Sequence, residues 1–422
     1  MKVFKFGGAS VRDAAGIRNV GRIISQTIAN GAELLIVVSA MGKTTNALEE
    51  VVVSYMAGRS DEAQLRWQNV VIAHELIVAE FELPETLLTP VRNTFATVAT
   101  QLTTPATQGY DEAYDQIVSM GEVISTQLLT AYLTHLGLPV QWADARLLIR
   151  TDDTFREGRV DWAITETQIQ ALMASKPGLI VTQGFIGGTS TGQTTTLGRE
   201  GSDYSAAIFA YCTQAQDVTI WKDVPGVLNA DPRYFDETVL LPSLTYQDAT
   251  ELAYYGATVI HPKTIKPLQN KGIPLYVRSF VQPDQPGTMV GGAPVPNPTP
   301  SFIFKVNQLL ISLHPTDFSF IAEDNLSLIF SLFAEAGVKI NLMQNTALNF
   351  SVVVDSRPER IPDLLERLRD HFRVTYNEAL ELITIRHYDQ STIDRVLVGK
   401  TMLLEQKSRI TVQLVVRDEG KS

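Results

Sequence analysis

Three short segments of this chain combine charged side chains with glycines at spacings that suit phosphate chemistry. The first is Lys5-Phe6-Gly7-Gly8-Ala9-Ser10. A strand-like run carries the lysine, and two glycines let the backbone approach an anion closely. The helix that follows is expected to begin with its N–H groups free. Phosphoryl transfer needs charge neutralisation on the transferred group more than covalent chemistry, and a lysine beside a glycine nest supplies it. Taken alone, the segment reads equally well as a strand–turn–helix with a surface lysine. The second segment is Leu197-Gly198-Arg199-Glu200-Gly201-Ser202-Asp203-Tyr204-Ser205. Two glycines bracket Arg199 ahead of a helix expected to be capped by Ser202 or Asp203. A guanidinium so placed can hold a carboxylate with two parallel hydrogen bonds; the plainer alternative is a hairpin turn with an ordinary cap. The third is Trp221-Lys222-Asp223-Val224-Pro225-Gly226-Val227-Leu228, then Asp231-Pro232-Arg233. A strand ends there in a Lys-Asp pair, set either beside a nucleotide or in solvent as ordinary loop charges.

Other apparent motifs fail. Gly42-Lys43-Thr44 looks like the end of a P-loop, but Val37 stands where its first glycine is required. No G-x-G-x-x-G follows a strand, so a dinucleotide fold has no support. Cys212 is the only cysteine, which rules out an intramolecular disulfide and a multi-cysteine metal site. It closes the apolar run 206–211 and reads as a buried small residue. A net charge of −11 leaves no basic stripe for nucleic acid. No apolar stretch approaches the roughly 20 residues that span a bilayer, and no signal peptide opens the chain, so a cytoplasmic setting is expected.

The elements that must position these residues alternate in type. At 422 residues, with 45% hydrophobic and 19% charged content, two or three globular domains are expected. Residues 34–39, 178–182, 218–221 and 274–277 are short apolar runs, as in parallel strands buried on both faces. Ile17, Val20, Ile23, Ile24 and Ile28 have helical spacing. Residues 43 to about 138 read as a helical lobe inserted near the start of an α/β domain, 1–281. The expected fold is a mainly parallel sheet sandwiched by helices, with ligands at the C-terminal strand ends. Residues 282–300 hold six prolines and read as a linker. Beyond it, 301–388 patterns as βαββαβ, a ferredoxin-like unit, and 389–422 as a shorter second one.

Taken in order, the three segments resemble the aspartate kinases of the amino-acid kinase family. Residues 5–10 match its Lys-Phe-Gly-Gly signature, 198–203 its Gly-Arg-x-Gly-Ser-Asp segment, and 221–226 its strand-Asp-Val-Pro-Gly segment. Val38-Ser39-Ala40-Met41-Gly42 with Thr45-Asn46, Met120-Gly121-Glu122, and Tyr255-Gly256-Ala257 through Ile260-His261-Pro262 complete the series. The two C-terminal units resemble the ACT domains that follow the kinase domain in that family.

The resemblance implies ATP with Mg²⁺ as cofactors and L-aspartate as substrate, phosphorylated on its β-carboxylate. Lys5, Gly7, Gly8 and Ser39 would hold the phosphates, and Asp203 would orient substrate or lysine. Thr45, Glu122, Arg199 and Ser202 would hold aspartate, with Arg199 on the α-carboxylate and Glu122 on the α-ammonium. Lys222, Asp223, Leu228, Arg233 and Thr258 would line the nucleotide. No protein-built metal site is expected. Leu228 stands where many relatives have an aromatic, Thr258 where many have lysine, and Lys222 where a hydroxyl residue is usual. A lysine or threonine effector would meet the ACT units near Asp324, Asn325, Leu326 and Asn341, although Asn341 replaces a common aspartate. Paired ACT units imply a homodimer or larger homo-oligomer. The alternatives are a kinase of the same fold acting on glutamate or a nucleoside monophosphate, and a non-catalytic amino-acid sensor.

Overall fold

The computed structural model describes all residues except 176–177, 236, 258–259, 297, 318–319 and 422. They form two compact units. The first comprises Met1–Val227, Leu240–Thr250 and Val259–Val295; the second comprises Leu228–Val239, Glu251–Thr258 and Pro296–Ser422.

The first unit is built on an eight-stranded sheet. Its strands are β1 (Lys2–Phe6), β2 (Leu34–Val38), β3 (Val140–Ala143), β4 (Leu179–Gln183), β7 (Val218–Lys222), β8 (Ser243–Leu244), β9 (Leu275–Ser279) and β10 (Thr288–Val290). Between them, β5 (Ile186–Gly188) and β6 (Thr194–Thr196) form a separate hairpin. The sheet order is β3-β4-β2-β1-β7-β9-β10-β8, parallel throughout except where β10 runs against β9. All five residues of β2 are buried, which is why its sequence is continuously apolar. Each such Leu, Ile or Val contributes about 1.5–3 kcal/mol by leaving water.

The register positions the chemistry. Phe6 on β1 lies opposite Val38 on β2 and Trp221 on β7. Consequently Gly7, Ser39 and Lys222 leave three adjacent strands at the same carboxyl edge, where open α/β sheets bind ligands.

Helices cover the sheet. α1 (Ala14–Ala29) buries Ile17, Val20, Ile23 and Ile24, the face its spacing requires. Five helices, α2 (Thr44–Met56), α3 (Ser60–Ala79), α4 (Glu85–Gln101), α5 (Tyr110–Val118) and α6 (Met120–His135), separate β2 from β3. They share a core with the sheet through Leu48, Trp67, Phe95, Ile117 and Leu128. The remaining helices of this region are α7 (Ala145–Leu148), α8 (Trp162–Ala174), α9 (Gly201–Thr213), α10 (Tyr246–Tyr255) and α11 (Pro262–Lys271).

Two local expectations change. Gly7 is followed by a 3₁₀ turn, Gly8–Val11, and the N-terminus of α1 is closed by Asp13, whose side chain accepts from the Gly16 N–H. The N-cap position of α9 is Glu200, in a left-handed conformation (φ 53°), so Ser202 and Asp203 lie inside the first turn. Both side chains are thereby released from capping: Ser202 lines the cavity described below, and Asp203 meets Lys5.

The second unit contains β11 (Ser301–Pro315), α12 (Glu323–Glu335), β12 (Ile340–Asn345), β13 (Phe350–Asp355), α13 (Ile361–Arg369) and β14 (Phe372–Arg386). This is the βαββαβ order. α14 (Gln390–Leu397), β15 (Lys400–Lys407) and β16 (Thr411–Asp418) follow. All six strands form one antiparallel sheet, β12-β13-β11-β14-β16-β15. The long strands β11 and β14 are irregular where Asn307 and Ala379 turn left-handed (φ 54° each). Past those points, residues 301–305 and 380–386 pair with each other and β14 with β16, so the short C-terminal segment completes its sheet with strands it shares. No described helix is long and apolar enough to cross a membrane.

Candidate active site

A cavity of about 710 Å³ opens in the first unit, and its walls include Gly8, Ser39, Thr45, Glu122, Arg199 and Ser202. These residues come from the ends of β1 and β2, from α2 and α6, and from the turn into α9. The Ser39 hydroxyl donates to Ser202 Oγ at 2.9 Å, which ties the end of β2 to the start of α9.

Gly8 is required by close packing. A Cβ there would lie 2.8 Å from the Ala40 carbonyl oxygen and 3.0 Å from that of Gly42. Both are backbone atoms of the neighbouring strand's loop, and Gly8 O itself accepts from the Gly42 N–H at 3.0 Å. A Gly8→Ala chain is therefore expected to lose about 1–3 kcal/mol by overpacking and more than 90% of its activity. Thermal melting alongside turnover checks both.

Behind the cavity wall lies a buried charge cluster. Lys5 Nζ is 2.7 Å from Asp203 Oδ1, and Lys222 Nζ is 3.5 Å from Asp203 Oδ2. Burial opposes the Asp203 charge, but the ammonium groups of Lys5 and Lys222 outweigh it and hold the carboxyl below the usual range. Asp203 thus stays an anion that aims two lysines. Gly7 adjoins this cluster: a Cβ there would come into ordinary contact with Lys5 Nζ, at 3.4 Å.

Glu122 has the opposite character. It is 3% exposed, and its Oε1 accepts one hydrogen bond, from the Ala40 N–H at 3.2 Å. Oε2 has no hydrogen-bond partner among the described residues. Burial pushes its carboxyl up to about 8, against the weaker pull of the Ala40 N–H and Lys5. An unsatisfied buried carboxyl on a cavity wall is prepared for a cation that the cavity admits.

Other site residues fall elsewhere. Asp223 is exposed in the loop after β7. Leu228 and Arg233 belong to the second unit, where exposed Arg233 grips Asp231. Thr258 lies outside the described residues. Asp324, Asn325 and Leu326 occupy the first turn of α12. Asn325 Nδ2 donates to Phe320 O, and Leu326 packs on the core of its own unit. The Asn341 amide is spent internally: Oδ1 accepts from Lys305 Nζ, and Nδ2 donates to Gln308 Oε1 and Asp355 Oδ1, each at 2.9 Å. Cys212 is buried, its thiol pushed up to about 12 mainly by burial, consistent with a packing role.

The chain matches the model of the amino acid kinase family over residues 1–279. Lysine-sensitive aspartokinase 3 of Escherichia coli (strain K12) is 30% identical over 405 residues, 92% of this chain and 87% of that protein. The chain belongs to the aspartokinases of the amino acid kinase family. Bifunctional aspartokinase/homoserine dehydrogenase 2 of Arabidopsis thaliana is also 30% identical, and the chain spans 42% of its length. Crystal structures of E. coli aspartokinase III agree along the whole chain. One, with lysine and aspartate (T-state), has a TM-score of 0.82 at 26% identity; another, with aspartate and ADP (R-state), has 0.80 at 27%. Each covers 99% of this chain and 96% of that structure's chain.

Reading the sequence missed several residues that shape this aspartokinase's cavity. Tyr114, Arg156 and Glu157 line it as well. Asp115 is wholly buried behind them and accepts from the Arg156 N–H, the Thr196 N–H and Thr196 Oγ1. Lys263 Nζ donates to the Leu197 carbonyl at 3.0 Å, just ahead of the Arg199 turn.

Proposed function

We propose that this cavity brings the β-carboxylate of L-aspartate against the γ-phosphate of ATP. A carboxylate oxygen bonds to the γ-phosphorus, the β,γ-bridging P–O bond breaks, and ADP leaves with that electron pair, giving 4-phospho-L-aspartate. The carboxylate is already ionised near pH 7, so no general base is required. The observation that carries the reading is two lysines on one buried carboxylate, Lys5–Asp203–Lys222, with Glu122 held beside them.

In this reading Arg199 holds the α-carboxylate, and Glu122 takes the α-ammonium with Thr45 and Ser202 alongside. Lys5, with Gly7, Gly8, Ser39 and Lys222, takes the phosphates, and Asp223 serves the nucleoside side. Mg²⁺, when bound, neutralises phosphate oxygens. The described residues contain no group of three or more Asp, Glu, His or Cys placed to hold a metal. Catalysis then rests on positioning and on fixed charge.

The same reading extends to a cytoplasmic homodimer or larger homo-oligomer regulated through the ACT sheet. With the Asn341 amide engaged, a lysine or threonine effector would have to find its carboxylate partner elsewhere, with Asp324 one of two exposed acids, beside Glu323, on the first turn of α12. The decisive assay is hydroxamate formation from ATP, aspartate and hydroxylamine. Aspartate-dependent product is expected, and none from a folded protein would end the reading.

A further inference from the structure

Arg156 stands out on the cavity wall. It lies in the loop between Arg150 and Trp162, with a left-handed backbone (φ 67°) that a non-glycine side chain adopts at a cost. Such a conformation persists only where the surroundings enforce it, and here they do. Its N–H donates at 2.9 Å to the buried Asp115 carboxylate. The same Oδ2 accepts the Thr196 N–H at 2.8 Å, while Oδ1 accepts the Thr196 hydroxyl at 2.7 Å. One carboxylate therefore pins the Arg156 loop and the strand that leads to Arg199. The two segments also meet directly: a Cβ on Gly198 would lie 3.3 Å from the Arg156 carbonyl oxygen.

The side chain is held more loosely than the backbone. The guanidinium carbon sits 4.4 Å from the centre of the Tyr114 ring, and NH1 is 3.4 Å from Asp111 Oδ1. Tyr114 and Asp111 line the same cavity. About half of the Arg156 side chain remains exposed, and the Asp111 carboxylate is more exposed still (48% and 61%). A rim pair at that separation contributes little and exchanges readily for a better acceptor. Stacking on an aromatic face leaves the planar N–H edge of the guanidinium available for a carboxylate.

We propose that Arg156 is a second substrate-binding arginine, which joins Arg199 on the α-carboxylate of the amino-acid substrate. Tyr114 is its resting platform and Asp115 a positioning residue that fixes its loop. The proposal rests on the kinase reading above; Arg156 and Arg199 are the two guanidinium groups among the cavity-lining residues, which also include the acids Asp111, Glu122, Glu157 and Glu200.

The test is steady-state kinetics on the full chain, varying aspartate and ATP separately, with calorimetric titration of aspartate in parallel. Arg156→Ala is expected to raise KM for aspartate about tenfold, the scale of one charge-assisted hydrogen bond. KM for ATP should stay unchanged, kcat should remain within about threefold, and melting should be unaltered. Arg156→Lys should restore only part of the loss, because an ammonium neither stacks nor forks as a guanidinium does. An unchanged KM for aspartate in Arg156→Ala would overturn the proposal. So would a parallel worsening of both KM values with lowered melting, which marks a structural role. If the wild-type chain binds aspartate without turnover, the kinase reading falls, and the calorimetric comparison alone decides this one.

Discussion

Replacing Lys5 by methionine is expected to lower kcat by roughly a thousandfold, the scale of removing a donor aimed at charge that develops in the transition state. The ammonium leaves β1 at the carboxyl edge of the sheet, 2.7 Å from Asp203 and directly over the Gly7 backbone. Lys222 is too far from Asp203, at 3.5 Å, to inherit the same geometry. The substitution also breaks a buried ion pair, which costs about 3–5 kcal/mol because Asp203 is left with an under-compensated charge. A collapse in stability could therefore imitate a catalytic loss. The double variant Lys5→Met/Asp203→Asn separates them, since it removes both charges. Its melting temperature should recover most of the way to wild type while kcat stays low. Recovery of turnover along with stability would show that Lys5 serves the fold and not the phosphoryl transfer.

The strand framework was legible because parallel strands buried on both faces must be continuously apolar, and Leu34 to Val38 and Leu179 to Val181 are. The residues at the strand ends were legible only together: each glycine-and-charge segment alone had a plain alternative, and their order along the chain carried the reading. Arg156, Asp115 and Lys263 were not legible. Their roles depend on which loop returns to which strand. The turn residues around Arg156 read as ordinary loop, and a positive φ at an arginine leaves no mark in the sequence. The closing of β11 and β14 onto β16 was also hidden, since a strand that changes partners at a left-handed residue keeps its alternating pattern throughout.

Glu122 predicts a pH dependence of sign opposite to that of an ordinary carboxylate. Its carboxyl is raised from 4.5 to about 8 in the folded protein, by burial first. Between those values the folded state holds a proton that the unfolded state has released, so this group's contribution to stability is full below pH 4.5. It declines as pH rises towards 8 and is level above that. Substrate binding responds the other way. The ammonium of aspartate favours the ionised form, so at pH 6 to 7 binding must first expel the Glu122 proton. KM for aspartate is expected to fall as pH rises, by up to about tenfold per unit below 8, and then to level off. Calorimetry in buffers of different ionisation enthalpy should record close to one proton released per aspartate bound near pH 6.5. Glu122→Gln should abolish both the slope and the proton release while raising KM at pH 8, because a neutral amide cannot ionise to meet the ammonium. A slope that survives in Glu122→Gln would assign the titration to another group and would remove Glu122 from the ammonium site.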